Sequence, residues 1–332
     1  MRLDVIIPTY NRARLLSRLL DSIGAADRPD DLSVRLIVID NNSSDDTRRV
    51  VESCPPLFGQ KPVYLHEPEV GQCAARNRGL QLVSGDLVGF LDDDEQVDRR
   101  WFATVRELFE DAEIDFISGP YKPAWTVEPP AWLPKAYPAV IGWVEAGDQV
   151  LSYGQDYDGI MMGGNGVVRR ALVDAVGPFN TALGRIGRQL TAGEDADYHQ
   201  RLLAAGARGL YVPRLIIYHH IPKERVTKGY HRRWCFYRGI SLAQIDRQRP
   251  EPVAHLCGVP RYLFGNAGRA ALNLARALCS RRRDPERIFS SELPLWDLAG
   301  FAYGKWFARR PANTRTRRDR LSFPAAPPSH AG

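Results

Sequence analysis

Apolar residues recur along the first half of the chain in two alternating rhythms. Val5-Ile6-Ile7 is a short β-branched run, and Leu15, Leu16, Leu19, Leu20 and Ile23 follow it at helical spacing. A second β-branched run spans residues 34–39 and precedes a helix predicted from Asp45, with Asp and Thr at its start. Residues 71–83 read as a helix, 86–91 as a strand buried on both faces, and 98–110 as another helix. Strands alternating with helices predict a mostly parallel α/β sheet covered on both faces.

Ligands of such sheets sit beyond the carboxyl ends of the strands. The polar strings fall there: Pro8, Thr9, Tyr10, Asn11 and Arg12 after the first strand, Asp40-Asn41-Asn42-Ser43 after the second, and Asp92-Asp93-Asp94-Glu95 after the third. Adjacent carboxylates at the end of an apolar strand repel one another unless they are solvated or hold a cation. Mg²⁺ or Mn²⁺ shared with a substrate phosphate suits such oxygen ligands. A solvated acidic turn at a helix N-terminus suits the string as well.

Further along, residues 119–147 are rich in Pro, Trp and Tyr, including Trp125, Trp132, Tyr137 and Trp143, and read as one long irregular loop. Its aromatics fit either stacking on sugar rings or packing of the loop onto the body. Gly163-Gly164-Asn165-Gly166 predicts a tight turn or a close backbone approach. Gly193-Glu194-Asp195 opens a helix carrying Tyr198, Leu202 and Leu203. From about residue 228 the chain reads as helical and basic, and residues 308–332 as an Arg- and Pro-rich disordered tail.

Charge divides the chain. Residues 1–218 carry 23 basic and 31 acidic side chains, a balance of −8, whereas residues 219–332 carry 22 and 8, a balance of +14. The asymmetry points to a polyanionic neighbour for the last third. Five cysteines without a CxxC pair fit a reducing compartment. The immediate entry into a strand leaves no room for a signal peptide, and no apolar run is long enough to span a membrane. The expectation is a cytoplasmic protein, with a peripheral place at the inner face of the cytoplasmic membrane in view.

The chain has no GxxxxGK[ST] loop, no GxGxxG after a strand, no HExxH and no GxSxG elbow. What remains is phosphate handling by carboxylate-bound metal and arginine, with a second acidic site about a hundred residues downstream.

Six strings carry a resemblance: VIIPTYNRARLL (5–16), IVIDNNSSDDT (37–47), ARNRGL (75–80), DLVGFLDDDE (86–95), GGNGVVRRALVDAVGPFN (163–180) and GEDADYHQRLLAAG (193–206). In that order the sequence resembles the family-2 glycosyltransferases over roughly residues 3–220. The resemblance implies a GT-A fold, a mixed and mostly parallel sheet with helices on both faces, here followed by a helical C-terminal extension. It also implies an inverting, metal-dependent hexosyltransferase that uses a nucleotide-sugar donor, a UDP-sugar first among them. The acceptor would be a saccharide or a polyprenyl-linked sugar, in polysaccharide or glycoconjugate biosynthesis. The implied domains are residues 1–222, with a donor half (1–118) and an acceptor half (119–222), a basic extension (223–307) and the tail (308–332).

Residue by residue, the resemblance assigns Pro8, Thr9, Tyr10, Arg12 and Asp40 to the nucleoside, Asp40 accepting from a base N–H. Arg76 would face the diphosphate. The triple Asp matches the DxD element, with Asp92 and Asp93 as donor contacts and Asp94 as ligand of Mn²⁺ or Mg²⁺. Asp195 would be the general base and Glu194 would orient the acceptor hydroxyl. Of His219 and His220, which strand alternation turns to opposite faces, His219 is assigned to the metal, and the adjacent Pro222-Lys223-Glu224-Arg225 would add positive charge near the leaving group. Plain structural roles exist for several of these: a turn for Asp40, a helix start for Glu194 and Asp195.

The basic third departs from a minimal catalytic domain. Arg281-Arg282-Arg283 and the arginines at 309, 310, 315, 317, 318 and 320 flank the aromatic segment from Leu293 to Phe307. That pattern fits an anionic membrane surface, or a core helix with a solvated tail. No nucleic-acid-binding motif accompanies the charge, so nucleic acid is not an expected partner. Two rival functions are a nucleotidyltransferase of similar fold, which usually has a Gly-rich phosphate loop near its first strand, and a non-catalytic nucleotide- or glycan-binding module.

Overall fold

A computed structural model describes residues 1–135, 138–184, 193–248, 250 and 252–307. Tyr137 and the tail from residue 308 lie outside the described residues. The chain begins with β1 (Arg2–Thr9), α1 (Ala13–Gly24), β2 (Ser33–Asp40), α2 (Thr47–Ser53), β3 (Val63–His66), α3 (Gln72–Leu80) and β4 (Leu87–Leu91). It continues through β5 (Glu95–Val97), α4 (Trp101–Leu108), β6 (Phe116–Ser118), β7 (Tyr121–Trp125), β8 (Leu151–Ser152), β9 (Asn165–Arg169) and α5 (Arg170–Val176). After α6 (Glu194–Ala204), β10 (Gly209–Tyr211) and β11 (Ile217–Ile221), the last third holds α7 (Lys228–Gln248), the hairpin β12 (His255–Leu256) and β13 (Val259–Pro260), α8 (Arg261–Cys279) and α9 (Pro285–Trp306).

Eight strands form one sheet in the order β3-β2-β1-β4-β9-β6-β10-β8. The β3-β2-β1-β4 half is parallel throughout, β9 runs antiparallel to β4 and β6, and β8 runs antiparallel to β10. The mixed, mostly parallel sheet is therefore the expected class. β1 and β4 are apolar and buried because helices cover both faces of the sheet. The one buried charged residue of β1, Asp4, is fully satisfied: Arg35 donates to it through Nε and Nη2 at 2.8 Å each, and the N–H groups of Ser84 and Gly85 also donate to it. Strand order reverses between β1 and β4, and a crevice opens beyond their carboxyl ends at such a point.

A second sheet, β5-β11-β7, stands beside the crevice. Its β7 lies inside the segment that the sequence reads as a continuous irregular loop, which corrects that reading. The pairing with β11, remote in sequence, supplies the backbone partners that local pattern does not reveal. Trp132 from the same segment packs edge-on against His231 of α7 and Phe289 of α9, with ring centroids 5.5 and 5.0 Å away. For Trp132 the packing role holds. α7 and α9 approach closely at glycines: a Cβ on Gly300 would collide with the backbone of Phe236, and one on Gly239 with that of Asp297 and Phe301. Of the aromatic segment, Leu293 and Phe301 are buried in this helical layer, whereas Trp306 and Phe307 stay exposed.

Candidate functional site

Two loops beyond the sheet are locked to each other. Asn11, at φ 51°, accepts from the N–H of Ser44 at 2.7 Å, and its own N–H donates to Ser43 Oγ at 2.8 Å. Asp45 accepts from the N–H of Ala13 at 3.0 Å, satisfying a free donor at the start of α1. Asp40 is buried, with one oxygen accepting from the N–H of Ser43 and the other from the Tyr64 hydroxyl, both at 2.8 Å. Asp40 thus shapes the turn. Pro8 and Thr9 are buried in β1, and Tyr10 is exposed.

The three aspartates after β4 have different sets of partners, with Arg12 shared by the second and third. Asp92 accepts at Oδ1 from Gln72 Nε2 (2.9 Å) and Arg76 Nη2 (3.0 Å), while its N–H donates to Glu95 Oε2 at 2.9 Å. Asp93 accepts from Thr9 Oγ1 at 2.8 Å and from Arg12 Nη1 at 2.7 Å, which joins the ends of β1 and β4. Asp94 Oδ2 accepts from Arg12 Nη1 at 2.9 Å and Arg225 Nη2 at 3.2 Å, and lies 3.6 Å from His219 Nε2. Burial pushes the Asp93 carboxyl up to about 6, with Arg12 opposing and Asp94 reinforcing the rise. Burial also acts against charge on Asp94, but the guanidinium groups of Arg12 and Arg225 hold it well below the usual carboxylate range. Glu95 is raised well above its usual range, by burial first and then by the charges of Asp92 and Asp94. The cluster tolerates its like charges by pairing some of them and neutralising others.

His219 is delivered by strand pairing. β11 runs antiparallel to β5 with His219 opposite Glu95, and the N–H of His220 donates to the Asp94 carbonyl at 2.8 Å. His219 Nδ1 lies 3.0 Å from the Ile141 carbonyl, which can only accept, so this nitrogen carries the proton. Nε2 then accepts from Arg225 Nη1 at 2.9 Å. The ring is neutral, with its lone pair on the side of Asp94.

That donor chemistry suits a divalent cation: a neutral imidazole nitrogen and an ionised carboxylate oxygen, 3.6 Å apart. Among the described residues no group of three or more His, Cys, Asp or Glu forms a metal cluster, so phosphate oxygens would complete the shell. Asp94 and His219 fit on those terms. Arg225 bonds to both atoms in this structure.

On the other side of the crevice, α6 begins at Glu194, and its first turn carries Glu194, Asp195 and Asp197. The helix is anchored by Tyr198, whose ring stacks on Phe179 at 4.1 Å. Arg76, only 1 % exposed, joins the halves: Nη1 donates to Asp195 Oδ1 and Nη2 to Asp92 Oδ1, both at 3.0 Å. Its guanidinium also lies 5.3 Å from the centre of the Phe179 ring. Burial raises the Asp195 carboxyl, and Arg76 and the Gly163 N–H pull it back. The sequence assigns Arg76 to a diphosphate; here both of its terminal nitrogens bond to carboxylates.

Gly163 and Gly164 make the close approach that their spacing predicts. A Cβ on Gly163 would strike Asp195 Oδ1 and Arg76, and one on Gly164 would strike Glu95 Oε1 and come within 2.9 Å of Asp92 Oδ2. The bare backbone leaves room between the two acidic groups.

Three participants escape sequence reasoning, and the sequence anticipates a fourth, Arg225, only as positive charge near the leaving group. Glu95, although part of the acidic string, is a buried brace for Asp92. Asn165 anchors the strip by accepting from Trp101 Nε1 at 2.8 Å and donating to the Leu215 carbonyl at 2.7 Å. Tyr121 accepts from the N–H of Gly164 at 2.8 Å, and Arg225 enters from beyond the expected domain boundary. Two had a signal: Glu95 in its adjacency to the three aspartates, and Arg225 in the basic stretch beside His219.

Comparisons with known proteins converge on one family. A family model described as Glycosyl transferase family 2 matches residues 4–176. The succinoglycan biosynthesis protein ExoM of Rhizobium meliloti (strain 1021) is 26% identical over 256 residues, covering 77% of this chain and 77% of its own. The glucosyl-dolichyl phosphate glucuronosyltransferase of Haloferax volcanii is 24% identical over 260 residues, 76% of this chain and 79% of its own. Among solved structures, the mannosyltransferase PcManGT from Pyrobaculum calidifontis, in complex with GDP-Man and Mn²⁺, superposes with a TM-score of 0.58 at 20% identity, over 92% of this chain and 87% of that one. At that identity the superposition speaks for the fold.

Proposed function

The chain belongs to glycosyl transferase family 2, and on that premise we propose that it is an inverting, metal-assisted hexosyltransferase. In this reading it moves a sugar from a nucleoside-diphosphate donor, with a UDP-sugar as the first candidate, to a saccharide or lipid-linked acceptor in polysaccharide or glycoconjugate biosynthesis. The observation that carries it is Arg76, one buried guanidinium bonded at 3.0 Å to Asp92 and at 3.0 Å to Asp195. The two carboxylate sites therefore border one space, and Gly163 and Gly164 keep that space open.

Pro8, Thr9, Tyr10, Arg12 and Asp40 would bound the nucleoside side, with Asp92 and Asp93 as donor contacts. Asp94 and His219 would hold the divalent cation, which when bound supplies Lewis-acid neutralisation of the departing diphosphate. Arg12 and Arg225 bring fixed positive charge to the same end. Asp195 would accept the proton of the attacking hydroxyl, from the face opposite the diphosphate, and Glu194 would orient that hydroxyl. The raised Asp195 carboxyl is a stronger base than an exposed one once ionised. We assign residues 1–118 to the donor, 119–222 to the acceptor, and the helices after 222 to support and location.

The lipid-linked acceptor is supported by the Haloferax volcanii relative, whose name specifies a dolichyl phosphate sugar. A peripheral place at a membrane fits the basic last third; among the described residues no helix is long and apolar enough to cross one. Calorimetry with UDP-, GDP-, dTDP- and CDP-sugars, with and without Mn²⁺, tests the donor assignment. One donor is expected to bind, and more tightly with the metal. Failure of all four to bind would remove the nucleotide-sugar reading.

A further inference from the structure

The helix α8 carries chemistry that the transfer site does not use. From residue 252 to residue 283 the sequence contains no acidic residue, while Arg261, Arg269, Arg276, Arg281, Arg282 and Arg283 supply six positive charges. None of the six pairs with an acid among the described residues. The contrast with the neighbouring helices is sharp. In α7 and α9, Arg232 pairs with Glu292, Arg238 with Asp297, and Lys305 with Asp246.

α8 is also thinly buried. Leu263, Ala267, Ala270 and Ala277 form its buried stripe, three of them alanines. Leu272 remains 51 % exposed and Leu278 49 % exposed, with exposed Ala271 and Ala275 between them. At 100° per residue, Arg269 and Arg276 fall on one side of Leu272, Ala271, Ala275 and Leu278 on the other, and Arg261 within about 20° of Leu272 itself. The outer face is an apolar strip bordered by an arginine strip. Leaving leucines in water gains nothing, and unpaired arginines gain nothing from one another.

We propose that the outer face of α8 lies on an anionic membrane surface, in the plane of the interface, with the leucine strip at the acyl boundary and the arginines among the lipid headgroups. Both strips are needed for such binding: apolar burial holds the helix and charge attracts it to anionic lipid. Phosphate-only partners such as nucleic acid leave the exposed leucines unexplained. The proposal moves the contact from the Leu293–Phe307 segment and the tail, where the sequence places it, to a helix the sequence did not single out. It extends the lipid-acceptor reading, but its test reads vesicle binding alone, so the two fail separately.

The experiment is flotation of the full chain with phosphatidylcholine vesicles, with and without phosphatidylglycerol. The expected result is flotation only with the anionic vesicles, weakened by salt. Replacing Arg261, Arg269 and Arg276 together by Glu is expected to lower the bound fraction at least tenfold, and Leu272→Asp with Leu278→Asp to do the same. These side chains are exposed, and an unchanged far-ultraviolet circular dichroism spectrum confirms that each variant is folded. A third variant, with the six tail arginines at 309, 310, 315, 317, 318 and 320 changed to Ser, is expected to keep binding. The proposal is overturned if the wild-type chain does not float, if either α8 variant floats as the wild type does, or if the tail variant alone loses binding. Retention on duplex DNA without vesicle flotation overturns it as well.

Discussion

A buried guanidinium is costly to leave without acceptors, so Arg76 holds Asp92 and Asp195 at a fixed separation, a role an amide oxygen at 195 can still serve. The Asp94 cluster is different, because its cations are exchangeable in kind. Arg225 bonds to both Asp94 Oδ2 and His219 Nε2, the atoms that would bind the metal, so guanidinium and metal compete for them. Arg225→Ala is expected to tighten Mn²⁺ binding without nucleotide on the order of tenfold, about what one partly screened charge is worth. Titration followed by electron paramagnetic resonance reads this directly, and unchanged affinity removes the competition. Asp94→Ala is expected to abolish the Mn²⁺-dependent part of donor binding in calorimetry; donor affinity that still rises with Mn²⁺ would remove Asp94 as ligand. The sequence made Asp92 and Asp94 visible because adjacent acids at the end of an apolar strand demand a reason, and Asp195 through the family resemblance alone. It did not expose the partners, since the bond from Arg12 to Asp94 spans 82 residues and that from Arg225 spans 131.

At the scale of elements, strands and helices with a strong apolar period were legible. β1 and β2 fall where the β-branched runs lie, β4 lies within the apolar run of 86–91, and α1 buries leucines that its spacing marks. What escaped were short strands whose only stabilisation is a distant neighbour. β7 exists because β11 pairs with it, and β5 because β11 pairs on its other side. Those pairings carry His219 to Asp94, so the least legible elements complete the site. The glycine strip before β9 was legible as a close approach, though not what it approaches. Gly163→Ala is expected to lower transfer roughly 10²-fold by displacing Asp195 and Arg76. The backbone there needs no left-handed conformation, so the change in thermal midpoint should be small. Steady-state rates beside a melting curve check both, and full activity would mean that the two acids do not share a confined space.

On the scale of the whole molecule, the helices after residue 222 are not a detachable appendage. Arg225 reaches the acidic cluster, Ile245 of α7 abuts Gly193 at the start of α6, and Trp132 wedges against α7 and α9. Their basic charge was legible in the sequence, as was positive charge from Arg225 near the leaving group, whereas the contacts of α7 and α9 with the body were not, because they depend on how the chain returns. This junction has a pH signature. Burial pushes His231, beside Trp132 and Phe289, down to about 4, and His199 likewise to about 4. An unfolded histidine titrates near 6.5, so between about 6.5 and 4 the unfolded chain binds more protons, and each buried ring costs stability as pH falls, up to about 2 kcal/mol at pH 5. The raised Asp93, Glu95 and Asp195 act in the opposite direction on acidification. His231→Phe should therefore lose less thermal midpoint than the wild type between pH 7 and pH 5, and an equal loss in both would contradict it. The central claim is that one crevice holds a donor site and, across Arg76, a separate base. Its most direct test is Asp195→Asn, with donor affinity measured by calorimetry and nucleoside-diphosphate release followed in the same preparation. The account predicts unchanged affinity with release slowed roughly 10²- to 10⁴-fold; release near the wild-type rate would contradict it.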